Sequence, residues 1–430
     1  MTTLRSSDKD FRAKLRAFVG TGEAAPDVRT AVAAIIADVK ARGDIAVLHH
    51  TAKFDHAKLN VRQIRVPLEQ LEKAAANLDP AKRKSFDEAA KCITDFHART
   101  LPKGWTAKNP HGAMVGERHH AIRRCGLYIP GGQVPLVSTV LMTALPAKVA
   151  GVPEICACTP PQPDGKINPD ILAALYLSGV REVYAVGGVQ AIAAMALGTD
   201  SIRAVDKVFG PGNAFVTEAK RQLFGIVGVD LLPGPSEVMI IADRTAKAEW
   251  AAADLCAQAE HGSGKEKLYL VTDNEAFADK CLASARTQSN SLTHGEKIRK
   301  ALDSKVCVVL VPKIEDAAEV ANLIAPEHLE LMVAKAKLKK LSAAVTTAGA
   351  ILLGPHTPTV LGDFTAGPSH TLPTGGTGRF FSGLRVADFL RRTSLVQYDP
   401  ASLKKAAAVV DAFARMERLD AHGRSLKLRL

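Results

Sequence analysis

A chain of 430 residues, 47% apolar and 23% charged, has the composition of a folded globular protein with more than one core, which excludes a disordered or fibrous chain. The net charge of +12 is spread along the sequence with only 5% aromatic residues and no nucleic-acid motif, so it reads as attraction for anionic cofactors or substrates, with no nucleic-acid partner expected. The charged start Met1–Lys9 lacks the apolar centre of a secretion signal and no later stretch reads as a membrane span, while seven cysteines without Cys-x-x-Cys spacing read as reduced thiols; a cytoplasmic protein is expected.

Residues 1 to about 100 carry apolar residues at three- and four-residue intervals, as in Val28–Ile36 and Phe86–Phe96, and are expected to be mostly helical. From about 128 the pattern alternates. Strands are expected at 154–158, 182–186 and 206–209, with helices after Asn168-Pro169-Asp170, at 189–197 and from Asn213 to Phe224. A second series follows the turn Leu232-Pro233-Gly234-Pro235-Ser236, with strands at 237–242, 267–271, 305–311, 329–334 and 349–353 and helices at 246–260, 274–288, 314–324 and 336–343. Alternation of this kind predicts parallel sheets with helices on their faces. The segment from Gly354 to Gly383 is rich in Gly, Pro and Thr and reads as a long functional loop. Helices at Val386–Arg392 and Leu403–Arg418 and a basic tail close the chain. The expected class is α/β, with two Rossmann-like parallel-sheet domains and helical N- and C-terminal extensions.

Three glycine-containing junctions stand where anion-binding turns belong. Phe209-Gly210-Pro211-Gly212-Asn213 follows a predicted strand and opens a helix, so its backbone N–H groups and the helix terminus favour a pyrophosphate. Gly187-Gly188-Val189-Gln190 has the same placement, and Tyr128-Ile129-Pro130-Gly131-Gly132 precedes the sheet. None matches the G-x-G-x-x-G fingerprint, and each alone reads first as an ordinary tight turn; together they weigh cofactor binding equally with that reading.

Chemistry-bearing side chains are scattered. Gln258 and His261 stand three positions apart at the end of a helix, hence on one face, where an amide oxygen and an imidazole could share a cation. Alone, such a pair reads as a surface or capping arrangement. Asp363 and His370 lie among small residues of the Gly/Pro loop. Glu417 and His422 follow near the C-terminus, roughly 140° apart on a continuous helix and so on different walls unless the helix breaks at Asp420. In Ala325-Pro326-Glu327-His328-Leu329-Glu330 a proline sets the turn into a strand and two ionisable groups project from it. One can polarise water and the other can take a hydroxyl proton near neutral pH; a surface turn is the alternative.

Taken in order, Tyr128–Gly132, Gly210–Asn213, Gln258-Ala259-Glu260-His261, Pro326–Glu330, Gly362-Asp363 with His370, and Leu419-Asp420-Ala421-His422 resemble the histidinol dehydrogenase family, over about residues 25 to 430. The resemblance implies an NAD-dependent four-electron oxidation of L-histidinol, through its aldehyde, to L-histidine, the last step of histidine biosynthesis. It implies that Gln258, His261, Asp363 and His422 ligate zinc, that Glu327 activates water, and that His328 takes the alcohol proton. These six residues with Ser236, His370 and Glu417 would surround the substrate, while Tyr128, Gln190 and Asn213 would contact NAD. It further implies a domain-swapped homodimer in which Glu417 and His422 reach the neighbouring subunit's pocket. The expected division is a helical arm at 1–22, a first α/β domain from 23–127 plus 236–384 carrying the metal and catalytic residues, a dinucleotide-binding α/β domain at 128–235, and a helical domain at 385–430.

The chain departs from the family pattern at Gly262-Ser263-Gly264-Lys265, where Asp-Pro is usual, at Phe215 and Phe364, where tyrosines are frequent, and at Ser369, where asparagine is frequent. None of these removes a proposed ligand or base. Rival readings are a paralogous dehydrogenase for another amino alcohol or diol, a zinc hydrolase needing no nucleotide, and a two-lobed binding protein. The hydrolase leaves Gly210–Asn213 without a role, and the binding protein leaves the metal-ligand residue types unexplained.

Overall fold

The computed structural model describes residues 1–20, 25–131, 135–261 and 264–430. Gly132 of the Tyr128 motif, Gly262-Ser263 after His261, and the boundary of the expected arm at 22–23 lie outside the described residues.

Two parallel sheets and one antiparallel sheet organise the chain. The smaller parallel sheet runs Glu182–Ala185, Glu154–Thr159, Arg124–Tyr128, Lys207–Phe209, Gly228–Val229. The larger runs Thr2–Arg5, Val306–Leu310, Lys267–Thr272, Glu237–Ala242, His328–Met332, Ala350–Leu353. Both share one winding rule. From a first strand (Arg124–Tyr128 or Glu237–Ala242) the chain adds two strands on one side, then crosses back to add two on the other, which leaves a switch point beside that first strand. All six residues of Glu237–Ala242 are buried, with Val238, Ile240 and Ala242 entering one core and Met239 and Ile241 the core on the opposite face. Burial of both faces is why the expected strands read as unbroken apolar runs.

The helices between Pro26 and Ala98 do not enter the cores of the larger sheet, with which the sequence reading groups residues 23–127. Val32, Ile35 and Val39 of the helix Pro26–Arg42 enter the core with Tyr128 and Tyr184, and Leu71 and Ile93 enter the core on the other face of the smaller sheet. The expected helical arm opens instead on the strand Thr2–Arg5, whose Leu4 is buried, before the helix Phe11–Val19. Four residues are too few for periodicity to register; pairing with Val306–Leu310 decides their conformation. The helix expected at Val386–Arg392 is a single 3-10 turn, Val386–Phe389, followed by the strand Leu390–Gln397, which pairs antiparallel with Met114–Ala121, itself paired to Trp105–Lys108. There tertiary pairing overrides local periodicity. The Tyr128 segment does not precede a sheet but ends a central strand, hidden from sequence reading because that strand contains Arg124.

Arg124 is only 2% exposed and is held by Glu182 at 2.5 and 2.9 Å and Glu154 at 3.1 Å. Among the described residues no helix is long and apolar enough to cross a membrane. All seven cysteines are free thiols, six of them buried.

Removing one member of a buried charge cluster strands the others, so Arg124→Met is expected to destabilise the protein by about 3–5 kcal/mol. Chemical denaturation monitored by far-UV circular dichroism checks this; an unchanged midpoint would mean that Glu182 and Glu154 gain nothing from the guanidinium.

Candidate active site

The three glycine junctions meet at the carboxyl edge of the smaller sheet, each following a strand. Gly210 has φ +112° and a Cβ there would lie 2.1 Å from the Tyr128 carbonyl oxygen, so no other residue fits the close approach of the two loops at the switch point. Its peptide groups are gripped on both sides. The Gly210 N–H donates to Asp230 at 2.7 Å, and Lys220 Nζ, ion-paired with Asp230 at 2.5 Å, donates to the Gly210 carbonyl at 2.5 Å. Asn213 caps the helix Ala214–Leu223 by accepting the N–H groups of Phe215 and Val216 through Oδ1, which leaves its amide N–H groups uncommitted at the helix mouth. The Tyr128 hydroxyl accepts the Gly188 N–H at 3.1 Å, tying two of the junctions together, and Gln190 leans toward Asp55 at 3.5 Å. These positions gather at one edge of the sheet, beside its switch point, where N–H groups and helix termini suit an anion.

The acid/base pair forms at the amino edge of the larger sheet. The helix Ala317–Ile324 ends at Ala325, a left-handed residue with φ +52°, and Pro326 then turns the chain so that Glu327 and His328 start the strand His328–Met332. Glu327 Oε2 accepts the Glu237 N–H at 2.8 Å, from the residue after Ser236, and so holds this turn against the adjacent strand. Burial pushes the Glu327 carboxyl up to about 7, with His328 opposing and Glu237 and Asp363 adding to the rise. His328 Nδ1 donates to the Glu237 carbonyl oxygen at 3.3 Å, because a carbonyl can only accept, which directs Nε2 to Asp363 Oδ1 at 3.6 Å. Burial opposes the imidazolium, but Glu327 and Asp363 outweigh it and carry His328 up to about 9.

Asp363 gathers the remaining imidazoles. The expected loop 354–383 contains a short helix, Thr359–Phe364, that presents it. Burial works against its charge, yet His328, His370 and His261 together hold its carboxyl below the usual range. His370 meets Ser138 Oγ at 3.1 Å and Ser369 donates to the Met142 carbonyl at 3.2 Å, which pins this segment to the helix Val137–Val149 of the other parallel-sheet unit. A cavity of about 540 Å³ opens beside Asp363, lined by Phe86, Ile93, Ser138 and Leu141, and lies within the size range of small-molecule sites. On the helix Ala248–Ala259, Gln258 is buried with Nε2 unpartnered, leaving its amide free to turn an oxygen inward. His261 lies two residues beyond the end of that helix, exposed in the turn that follows, and acts electrostatically on Asp363.

One chain therefore brings Glu327, His328, Asp363, His370, His261 and Ser236 into a common neighbourhood with Gln258 adjoining it. It does not bring Glu417 or His422. Both are exposed, and neither hydrogen-bonds nor ion-pairs with any of these residues. The helix is not continuous here: Pro400–Met416 ends with Glu417 as its cap, Arg418 takes φ +54°, and Asp420–Lys427 restarts, so the break falls just ahead of Asp420 and the 140° separation does not apply. Among the described residues no group of three or more His, Cys, Asp or Glu could hold a metal ion within the single chain. Sequence reading missed Glu237, Ser138 and Asp55. Only Glu237 left a signal, as the lone charge opening an apolar strand.

A family profile for histidinol dehydrogenases matches residues 21–430. The chain belongs to the histidinol dehydrogenase family. It is 43% identical over 429 residues to histidinol dehydrogenase of Rhodospirillum rubrum, covering 99% of this chain and 98% of the relative, and 44% identical to that of Rhizobium meliloti, covering 98% and 97%. Its structure is similar to the crystal structure of histidinol dehydrogenase from Elizabethkingia anophelis, with a TM-score of 0.93 at 33% identity over 100% of this chain and 98% of the other. Histidinol dehydrogenases are oxidoreductases, and this chain is one.

Burial holds the Asp55 carboxyl up at about 6, with His56 only partly opposing it. The unfolded chain releases that proton near pH 4 and the folded one near pH 6, so the ionised carboxyl costs stability above pH 6 and nothing below pH 4. Asp55→Asn should therefore stabilise the protein at pH 7 by about 1–2 kcal/mol, allowing for partial solvent screening, with the gain vanishing below pH 4. Urea denaturation across this range checks the sign; a gain at low pH would contradict it.

Proposed function

We propose that this chain catalyses the NAD-dependent oxidation of L-histidinol, through L-histidinaldehyde, to L-histidine, and that it does so as a zinc-dependent, domain-swapped homodimer. The observation that carries the reading is the buried Glu327–His328 pair facing Asp363 in a chain that matches histidinol dehydrogenases end to end. A hydrolase would need the carboxylate but not the three glycine junctions.

The donor set suits a divalent ion with one position missing. Gln258, His261 and Asp363 supply an amide, an imidazole and a carboxylate, and His422 of the partner subunit would complete the four, a mixture that zinc accepts. When bound, zinc would fix the imidazole and amino nitrogens of the substrate. The exposed apolar residues Val409, Phe413, Met416 and Leu428 of the C-terminal helices support their burial against a second copy, bringing Glu417 and His422 to the neighbour's site.

In the first oxidation His328 Nε2 receives the hydroxyl proton while Nδ1 stays anchored on Glu237. Asp363, once its charge is committed to a cation, no longer holds a proton on that nitrogen, so the base is neutral when needed. In the second, Glu327 takes a proton from water as the oxygen adds to the aldehyde carbon, and buried surroundings keep competing water away. Each oxidation transfers one hydride to NAD in the crevice lined by Tyr128, Gln190 and Asn213. Ser236, His370 and Glu417 of the partner subunit hold the polar groups of the substrate.

Two NADH per histidinol are expected spectrophotometrically, and His328→Asn should lower kcat by about 10²–10⁴-fold. One NADH per substrate, or none, would remove the proposal. Glu327 works as the carboxylate, so oxidation of supplied aldehyde should fall as pH drops below about 7. In Glu327→Gln that dependence should disappear along with most of the second oxidation; an unchanged pH profile would assign the step to another base.

A further inference from the structure

Glu330 has no part in the chemistry above, yet it is 1% exposed and lies on the same strand face as His328, two residues away. Its Oε1 accepts both the N–H and the hydroxyl of Thr359, each at 2.7 Å. Its Oε2 is buried and meets no donor with a fixed hydrogen. Beside Glu330 stands a second acid, Asp254, on the helix Ala248–Ala259. Two carboxylates cannot both ionise at contact in an apolar setting, so one retains a proton, and that proton is the donor Oε2 otherwise lacks. Its owner follows from the neighbours. Burial raises both carboxyls, but Thr359 aims two donors at Glu330 and favours charge there, whereas burial and the adjacent Glu330 push Asp254 up to about 8.

The bridge joins three elements that share little sequence but one site. Asp254 lies one turn before Gln258 on its helix face, and His261 follows just past the end of that helix. Thr359 is the first residue of the short helix that presents Asp363 one turn later, and Glu330 belongs to the strand begun by His328. We propose that protonated Asp254, Glu330 and Thr359 form a brace of positioning residues that fixes the helix of Gln258 and His261, the helix of Asp363 and the strand of the catalytic pair at one mutual distance. The brace touches neither substrate nor reacting atoms. It acts as outer-layer partners of metal ligands do, by setting ligand geometry in advance. The inference rests on reading Gln258, His261 and Asp363 as metal ligands.

The test is zinc affinity of the purified full-length protein, by competition with a chromophoric chelator, alongside kcat and KM. Asp254→Asn keeps a donor toward Glu330 without charge and should bind zinc within about threefold of the parent. Asp254→Ala and Thr359→Val remove one arm each and should weaken zinc by about 10–100-fold, lowering kcat with little change in the KM for NAD. Equal losses in Asp254→Asn and Asp254→Ala would overturn the shared proton, and parental affinity in Thr359→Val would overturn the brace even if Asp254→Ala fails to fold. Asp363→Ala separates the two readings. If it abolishes zinc binding while Thr359→Val keeps the parental affinity, the brace alone falls; if it leaves zinc binding intact, the metal reading falls and takes the brace with it.

Discussion

The parallel pairing of His328–Met332 against Glu237–Ala242 is the constraint on which the site depends. Through it the Glu237 N–H reaches Glu327 and the Glu237 carbonyl reaches His328 Nδ1, so one peptide unit region orients both ionisable groups. A register slip of one residue would turn His328 and Glu330 to the opposite face and take Glu327 away from its only backbone donor. The strength of this specification comes from burial on both faces of the sheet, where every residue of the two strands is inaccessible to solvent.

The two parallel sheets share a winding order but use opposite edges. The smaller one follows the usual rule, with its glycine junctions at the carboxyl ends and around the switch point. The larger one bears its acid/base pair at the amino end of a strand, reached through the left-handed Ala325 and Pro326. Such a backbone conformation at a non-glycine residue costs on the order of 1 kcal/mol or more and survives only where surrounding packing enforces it. Segment 369–374 then crosses between the units. Its contacts to Ser138, Met142 and Gly234 bring the amino edge of one sheet toward the carboxyl edge of the other. In the proposed reaction this connection would set the acid/base pair against the glycine junctions, as hydride transfer between two bound molecules requires.

Most parallel strands and their intervening helices were legible because each is a separate apolar run bounded by turn residues, and burial on both faces leaves little ambiguity in such runs. Glu237–Ala242 matches its expected limits, and Glu154–Thr159 and Lys267–Thr272 differ by one residue. What stayed hidden was decided by partners remote in sequence. Arg124–Tyr128 contains a charge that only Glu154 and Glu182 neutralise, and Leu390–Gln397 becomes a strand only because Met114–Ala121 lies beside it. The candidate site was legible as residue types and not as geometry. Asp363 and His370 stood out on a glycine-rich segment, whereas Ser138, which orients His370, carries no local signal in an apolar helix. Glu417 and His422 remained apart, exposed on the C-terminal segment and without a hydrogen bond or ion pair to the other candidate residues.

The central claim is that donors scattered from residue 258 to residue 363 converge on one cation beside Glu327 and His328. Anomalous diffraction at the zinc absorption edge, on crystals of the zinc-loaded protein, measures this directly. A single strong peak within bonding reach of Gln258, His261 and Asp363 is the predicted result; a peak elsewhere, or zinc bound at full occupancy with those three side chains turned away, would contradict it.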